Sequence, residues 1–285
     1  MKNLGRFSLI TLGIISLVGV MVCAQAELTG DEILDQMGKK GSLFEEKGDV
    51  IFVARFDLVY TDGTEGSNQF KIFSKQGAEG TEDPDRMLIY YMEPEDIEGT
   101  IFLSIVPPEE DSRMWLYLPA LGVVKELVSE SDKEQSFAGT SLSYEQIGGG
   151  FDFSDDYNAT RLADETITVF IEGVEEDRPV YVLELTATPE ADVDFPTGKM
   201  WVDQEELLPL RTEFANEAGE LEQVMEIPAL GYFEGELIPE QIRAQNPLDG
   251  SATTISVLER QREELPGTLF TAENLPSLDP EAYGR

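Results

Sequence analysis

The chain has 285 residues, with 57 acidic and 20 basic side chains, a formal net charge of −37 and no histidine. A surface that acidic repels phosphate backbones and anionic lipid, which sets nucleic acid aside as a partner. The missing histidine removes the commonest general base and zinc ligand, and the lone Cys23 leaves no partner for a disulfide within the chain.

At the start, Lys2 and Arg6 precede an apolar run from Phe7 to Ala24, and Ala24-Gln25-Ala26 has the small-x-small pattern of a signal-peptidase site. The pattern predicts a signal peptide over 1–26, cleavage after Ala26 and export to the periplasm. Two alternatives stay open: an uncleaved membrane anchor, and lipidation at Cys23 behind Val20-Met21-Val22. Acidic residues are spread through every later segment rather than gathered in a tail, which reads as a solvation adaptation to a salty, halophilic setting where screening relieves self-repulsion.

Leu28-Thr29-Gly30-Asp31-Glu32-Ile33 carries a helix-start signature, with Thr29 and Glu32 as a capping box and Leu28 with Ile33 as the hydrophobic staple. The helix from Asp31 to about Gly38 turns Ile33, Leu34 and Met37 to one side and needs an apolar surface to lie on. Strand patterns then dominate. Val50–Tyr60 alternates, Asp62-Gly63 turns it, and Gln69–Lys75 returns. Met87–Met92 is apolar throughout, which predicts cover on both faces, and Glu93-Pro94 ends it. Thr100–Val106, Met114–Leu118 and Val123–Val128 follow. Glu130–Gly150 breaks the rhythm: it is polar, carries Phe137, Leu142, Tyr144 and Ile147, and predicts short helices in a mobile loop. Strand signals resume at Thr166–Glu172, Val180–Thr188, Gly198–Val202, Leu208–Phe214, Leu221–Ile227, Glu236–Ala244 and Thr253–Glu259. The expectation is one domain over 27–278, with 279–285 frayed. Its predicted fold class is mainly β: an incomplete, half-open antiparallel barrel of about 11–13 strands with a short helical lid.

Catalytic motifs do not accompany this shell. No G-x-S-x-G elbow occurs, and Gly198-Lys199 lacks the spacing of a phosphate loop. Asp152, Asp155, Asp156 and Asn158 do not match a helix-loop-helix calcium site. No cofactor, no metal and no enzymatic activity are expected.

The run Glu93-Pro94-Glu95-Asp96-Ile97-Glu98-Gly99-Thr100 is similar to the P-x-D-I-x-G-T turn of the outer-membrane lipoprotein-sorting protein family. Trp115-Leu116-Tyr117-Leu118-Pro119-Ala120-Leu121-Gly122 resembles it too, as do Ser136-Phe137-Ala138-Gly139-Thr140 before Tyr144-Glu145, Leu208-Pro209-Leu210-Arg211-Thr212-Glu213 with Gly219-Glu220-Leu221, and Leu265-Pro266-Gly267-Thr268-Leu269-Phe270. These matches run in order through nearly the whole chain after the leader. The sequence departs from the family's pattern at Thr140-Ser141-Leu142, where an acidic-aromatic pair is common. The resemblance implies a Lol-type carrier, a barrel around an apolar cavity that binds lipoproteins or other lipids in the periplasm and passes them toward the outer membrane.

On that reading the partners are the acyl chains of lipoproteins or lipids and a membrane transporter or outer-membrane acceptor, and the carrier works as a monomer. The expected cavity wall is Phe52, Phe56, Phe70, Ile72, Ile89, Tyr91, Trp115, Tyr117 and Trp201. The expected lid contacts are Ile33, Met37, Phe137 and Tyr144. For each wall residue, plain core packing is the competing reading. The competing function is a ligand-free accessory subunit of an envelope transporter that exports hydrophobic molecules.

Overall fold

The computed structural model describes residues 27–38, 48–78, 81–108, 110–149, 156–191 and 193–284. The predicted signal peptide, its cleavage at Ala26 and the alternative anchor at Cys23 lie outside these residues. Among the described residues no helix is long and apolar enough to cross a membrane.

The described residues form fourteen strands: β1 (Asp49–Val59), β2 (Glu65–Lys75), β3 (Asp85–Glu93), β4 (Ile101–Val106), β5 (Arg113–Leu118), β6 (Val123–Leu127), β7 (Tyr157–Arg161), β8 (Glu165–Ile171), β9 (Val174–Ala187), β10 (Thr197–Asp203), β11 (Pro209–Ala215), β12 (Leu221–Phe233), β13 (Glu236–Gln245) and β14 (Ala252–Arg262). They form one sheet in the order β11-β10-β9-β8-β12-β13-β14-β1-β2-β3-β4-β5-β6, with β7 paired to β9. Since β11 also pairs with β12, strands β8 to β12 close into a five-stranded ring. The remaining strands extend from β12 as an open curved sheet ending at β6. The half-open shell is thus a small closed barrel continued by an open wall. Its pairings are antiparallel apart from a two-residue parallel contact between β8 and β12.

Three apolar clusters organise this sheet. The inner cluster joins alternate residues of β1 to β5 with inward side chains of the ring. A second lies where α1 (Gly30–Gly38) covers β7, β9, β10 and β11. A third lies on the outer face of β1 to β5, under Leu265, Leu269, Phe270 and Leu275 of the C-terminal segment. Cover on both faces explains why Met87–Met92 shows no alternation: Leu88 faces the outer cluster, and Ile89 and Tyr91 face the inner one.

The capping box of α1 forms as the sequence predicts, with the Glu32 carboxylate accepting from the Thr29 amide at 2.8 Å and Thr29 Oγ1 accepting from the Glu32 amide at 3.2 Å. The C-terminus departs from expectation. Residues 279–284 are docked rather than frayed: Lys71 Nζ donates to the Pro280 and Tyr283 carbonyls at 2.8 Å, and Tyr283 packs edge-on against Phe73. The physical reason is the apolar outer face, which this strap keeps from water.

Candidate functional site

The inner face of the open wall supplies a cage of rings. Register pairs Ala54 with Phe70 and Phe70 with Tyr91, so side chains two apart on β1, β2 and β3 point inward together. Phe52, Phe56, Phe70, Ile72, Ile89 and Tyr91 all lie in this inner cluster, as does Trp201 from the ring. Trp115 and Tyr117 do not. Trp115 pairs with Leu103, and both belong to the outer cluster beneath the C-terminal strap; Tyr117 packs there as well. Their expected place in the wall is therefore corrected. β5 is apolar on both faces, and its composition gave no phase.

The cage is occupied by the chain itself. The segment after β6 forms α2 (Glu130–Lys133), a single 3-10 turn at Phe137–Gly139, and α3 (Tyr144–Gly148), whose Ser143 and Gln146 make a reciprocal capping box. It drops Phe137, Leu142, Tyr144 and Ile147 into the inner cluster. Phe137 is the wedge. Its ring centroid lies 5.4 Å from Phe70, 5.5 Å from Tyr91, 5.5 Å from Tyr144, 5.8 Å from Phe102 and 6.2 Å from Phe56. Contacts of this kind are worth about 0.5–1.5 kcal/mol each beyond burial. Ile33 and Met37 play no part here. They sit in the second cluster, against β7 and the ring, so α1 is a fixed cover rather than a lid over the cage.

Polar side chains fasten the plug. Asn68 Nδ2 donates to the Ala138 carbonyl at 2.9 Å, and Ser104 Oγ donates to the Gly148 carbonyl at 2.7 Å. Thr253 Oγ1 accepts from the Ser141 amide at 2.9 Å and lies 2.9 Å from Ser141 Oγ, while Gln146 Nε2 reaches Gln223 Oε1 at 3.4 Å. Each of these wall residues shares its strand's inward parity: Asn68 with Phe70, Ser104 with Phe102, Gln223 with Met225 and Thr253 with Ile255. That is the signal sequence reasoning missed, since a polar residue at an inward position of an apolar strand needs a partner. At the plug's tip Ala138 has φ 49° beside Gly139 at φ 78°. The left-handed region costs a non-glycine residue about 1–2 kcal/mol, so the closed plug holds local strain.

Beside the plug a cleft of about 440 Å³ opens at the mouth, between Ser136–Gln146 and the ends of β1, β12, β13 and β14. Its lining is mainly hydroxyls, amides and carboxylates, among them Gln223, Gln245, Glu145 and Glu222. Burial raises the Glu145 carboxyl, and the neighbouring Glu130 adds to the effect. Inside the cage, burial pushes the Tyr91 phenol well above its ordinary range, with Tyr144 contributing. Asn158, weighed with Asp156 as part of a calcium loop, stands on β7 with its side chain exposed, and Asp152 and Asp155 lie outside the described residues.

Residues 83–277 match the model of a family described as "Uncharacterized protein". The chain belongs to that family. No curated protein matches it. Solved structures do. A DUF1329 family protein from Desulfovibrio piger is 24% identical with a TM-score of 0.72, over 86% of this chain and 97% of that one. A domain from Vibrio parahaemolyticus, provisionally named an outer membrane lipoprotein-sorting protein, is 24% identical with a TM-score of 0.71, over 87% and 98%. A LolA superfamily protein from Nitrosomonas europaea is 20% identical with a TM-score of 0.61, over 86% and 98%. At these identities the likeness establishes the fold, and the fold is the Lol-type one that the sequence motifs resemble.

Proposed function

We propose that this protein is a periplasmic carrier that shelters the acyl chains of lipoproteins or lipids, and that the Phe137 plug is the side chain set the cargo displaces. The observation that carries this reading is the wedge itself: an aromatic from a short, latched, strained segment fills a cage built by the surrounding strands.

Magnitudes favour exchange. Keeping an acyl chain from water is worth about 0.8 kcal/mol per methylene, on the order of ten kcal/mol for a chain of ordinary length. Burying Phe137, Leu142, Tyr144 and Ile147, at about 1.5–3 kcal/mol each, amounts to roughly 6–12 kcal/mol gross. The two occupants are of the same order, so cargo can replace the plug and be replaced by it. Release then needs no nucleotide, only an acceptor of higher affinity or a shift in the closed population. The assigned role is binding, not catalysis, and transfer toward the outer membrane is part of the proposal.

One observation favours the second reading, an accessory subunit of an envelope transporter that holds no ligand: the inner cage is filled by the chain's own side chains. Mass spectrometry of gently purified protein separates the two. A carrier arrives with acylated molecules bound in substoichiometric to equal amounts; an accessory subunit arrives without them.

A further inference from the structure

Within the cage one group lacks what its neighbours have. Tyr91 is 2% exposed and sits among rings, its centroid 4.9 Å from Phe70 and 5.5 Å from Phe137. Its hydroxyl makes no hydrogen bond of ordinary geometry among the described residues. The polar group that interacts with it is the hydroxyl of Tyr144, which belongs to the plug. A phenylalanine would fill the same space without burying a hydroxyl whose polar neighbour belongs to the plug. The inward polar residues Asn68, Ser104, Thr253 and Gln223 each hold a plug atom. When the plug leaves, Tyr91 loses even its nearby oxygen and needs an acceptor from whatever enters.

We infer that Tyr91 reads the acyl linkage of the cargo, donating its hydroxyl proton to the carbonyl oxygen of a neutral ester or amide while the hydrocarbon tail takes the place of Phe137. This rests on the carrier reading. A neutral carbonyl fits better than a free carboxylate because the chain's charge of −37 opposes entry of an anion. Tyr91 lies two residues before the end of β3, so a carbonyl bound to it would sit close to the end of that strand.

The test compares a long-chain 1-acylglycerol with its 1-O-alkyl ether of equal length, which differs by the carbonyl alone, on the wild-type chain and on Tyr91→Phe. A third probe, a short peptide N-acylated with the same chain, distinguishes a lipoprotein source from a free lipid by relative affinity. The wild type is expected to bind acyl over ether by about fivefold, the factor a neutral hydrogen bond supplies. Tyr91→Phe is expected to lose that preference, keep its affinity for the ether, and melt at the same or a higher temperature. A preference that survives in Tyr91→Phe, or its absence in the wild type while both lipids bind, overturns this inference and leaves the carrier reading standing. If no probe binds either the wild type or a plug-weakened Phe137→Ala chain, both fall together.

Discussion

The proposed exchange asks Phe137 to answer to two states, and its replacement tests this. In an ordinary core Phe→Ala costs about 3–5 kcal/mol. On the proposed carrier reading the plug opens locally, and Phe137→Ala is then expected to lower global stability by less than that, because the loss is limited to the free energy that holds the plug shut. Apparent affinity for an acyl probe should rise as the competent population grows. Denaturant titration beside a probe-binding isotherm checks both; a full core-sized loss with no gain in affinity would make Phe137 plain packing.

Asp203 shows the opposite kind of residue, fixed and structural. Burial raises its carboxyl, but the two hydrogen bonds from Arg178 at 2.7 and 3.0 Å and the amides of Glu205 and Glu206 outweigh it and hold it below the ordinary carboxylate value. A lowered folded-state value contributes stability that is present above the unfolded value of 3.8 and disappears as pH falls through the folded one. Asp203→Asn is therefore expected to cost about 3 kcal/mol at neutral pH, the toll of breaking a buried pair. It should also flatten the wild type's loss of stability below about pH 4, which thermal melts at several pH values would reveal. An unchanged acid profile would place the titration elsewhere.

At the scale of elements, α1 and the plug are both short segments with a few apolar residues on one side, and their seats differ. α1 is seated by backbone. A Cβ on Gly30 would stand 2.2 Å from the Ala159 carbonyl oxygen and 2.8 Å from the Arg161 amide nitrogen, so the helix lies directly on β7. Gly30→Ala is expected to unseat α1 and raise amide exchange in β7 and α1, leaving the plug and acyl binding untouched. Slower or unchanged exchange would contradict that division of labour. β7 was itself unreadable. Tyr157-Asn158-Ala159-Thr160-Arg161 has a mere two apolar residues, both facing α1, and it resembles a polar loop until its partner is known. The plug's existence was legible, because its aromatics interrupt a polar stretch between strands. Its latch was written in the same strands as the cage, at inward polar positions hidden by their apolar neighbours.

For the whole molecule, the two-sided wall is what limited the sequence reading. Alternation gives phase where one face meets water, and it placed Phe52, Phe56 and Phe70 inward correctly. β4 and β5 have apolar side chains on both faces because the C-terminal strap covers the outer one, so Trp115 and Tyr117 could be assigned to either side. Removing residues 265–285 would expose Ile51, Phe73, Leu88, Leu103 and Trp115 together. Such a truncation is expected to self-associate or fall out of solution, measured by light scattering, while the full chain with its net charge of −37 stays dispersed.

Movement of the plug to admit hydrocarbon is what the carrier mechanism requires. Ser141 Oγ and Thr253 Oγ1 lie 2.9 Å apart across the latch, a separation that suits a cysteine pair. In a Cys23→Ser background, S141C with T253C can be oxidised to bolt the plug and reduced to free it. Uptake of a fluorescent acyl probe should vanish in the oxidised protein and return on reduction. Equal uptake in both forms would mean that nothing enters by displacing Phe137, and the carrier mechanism proposed for this shell would be wrong.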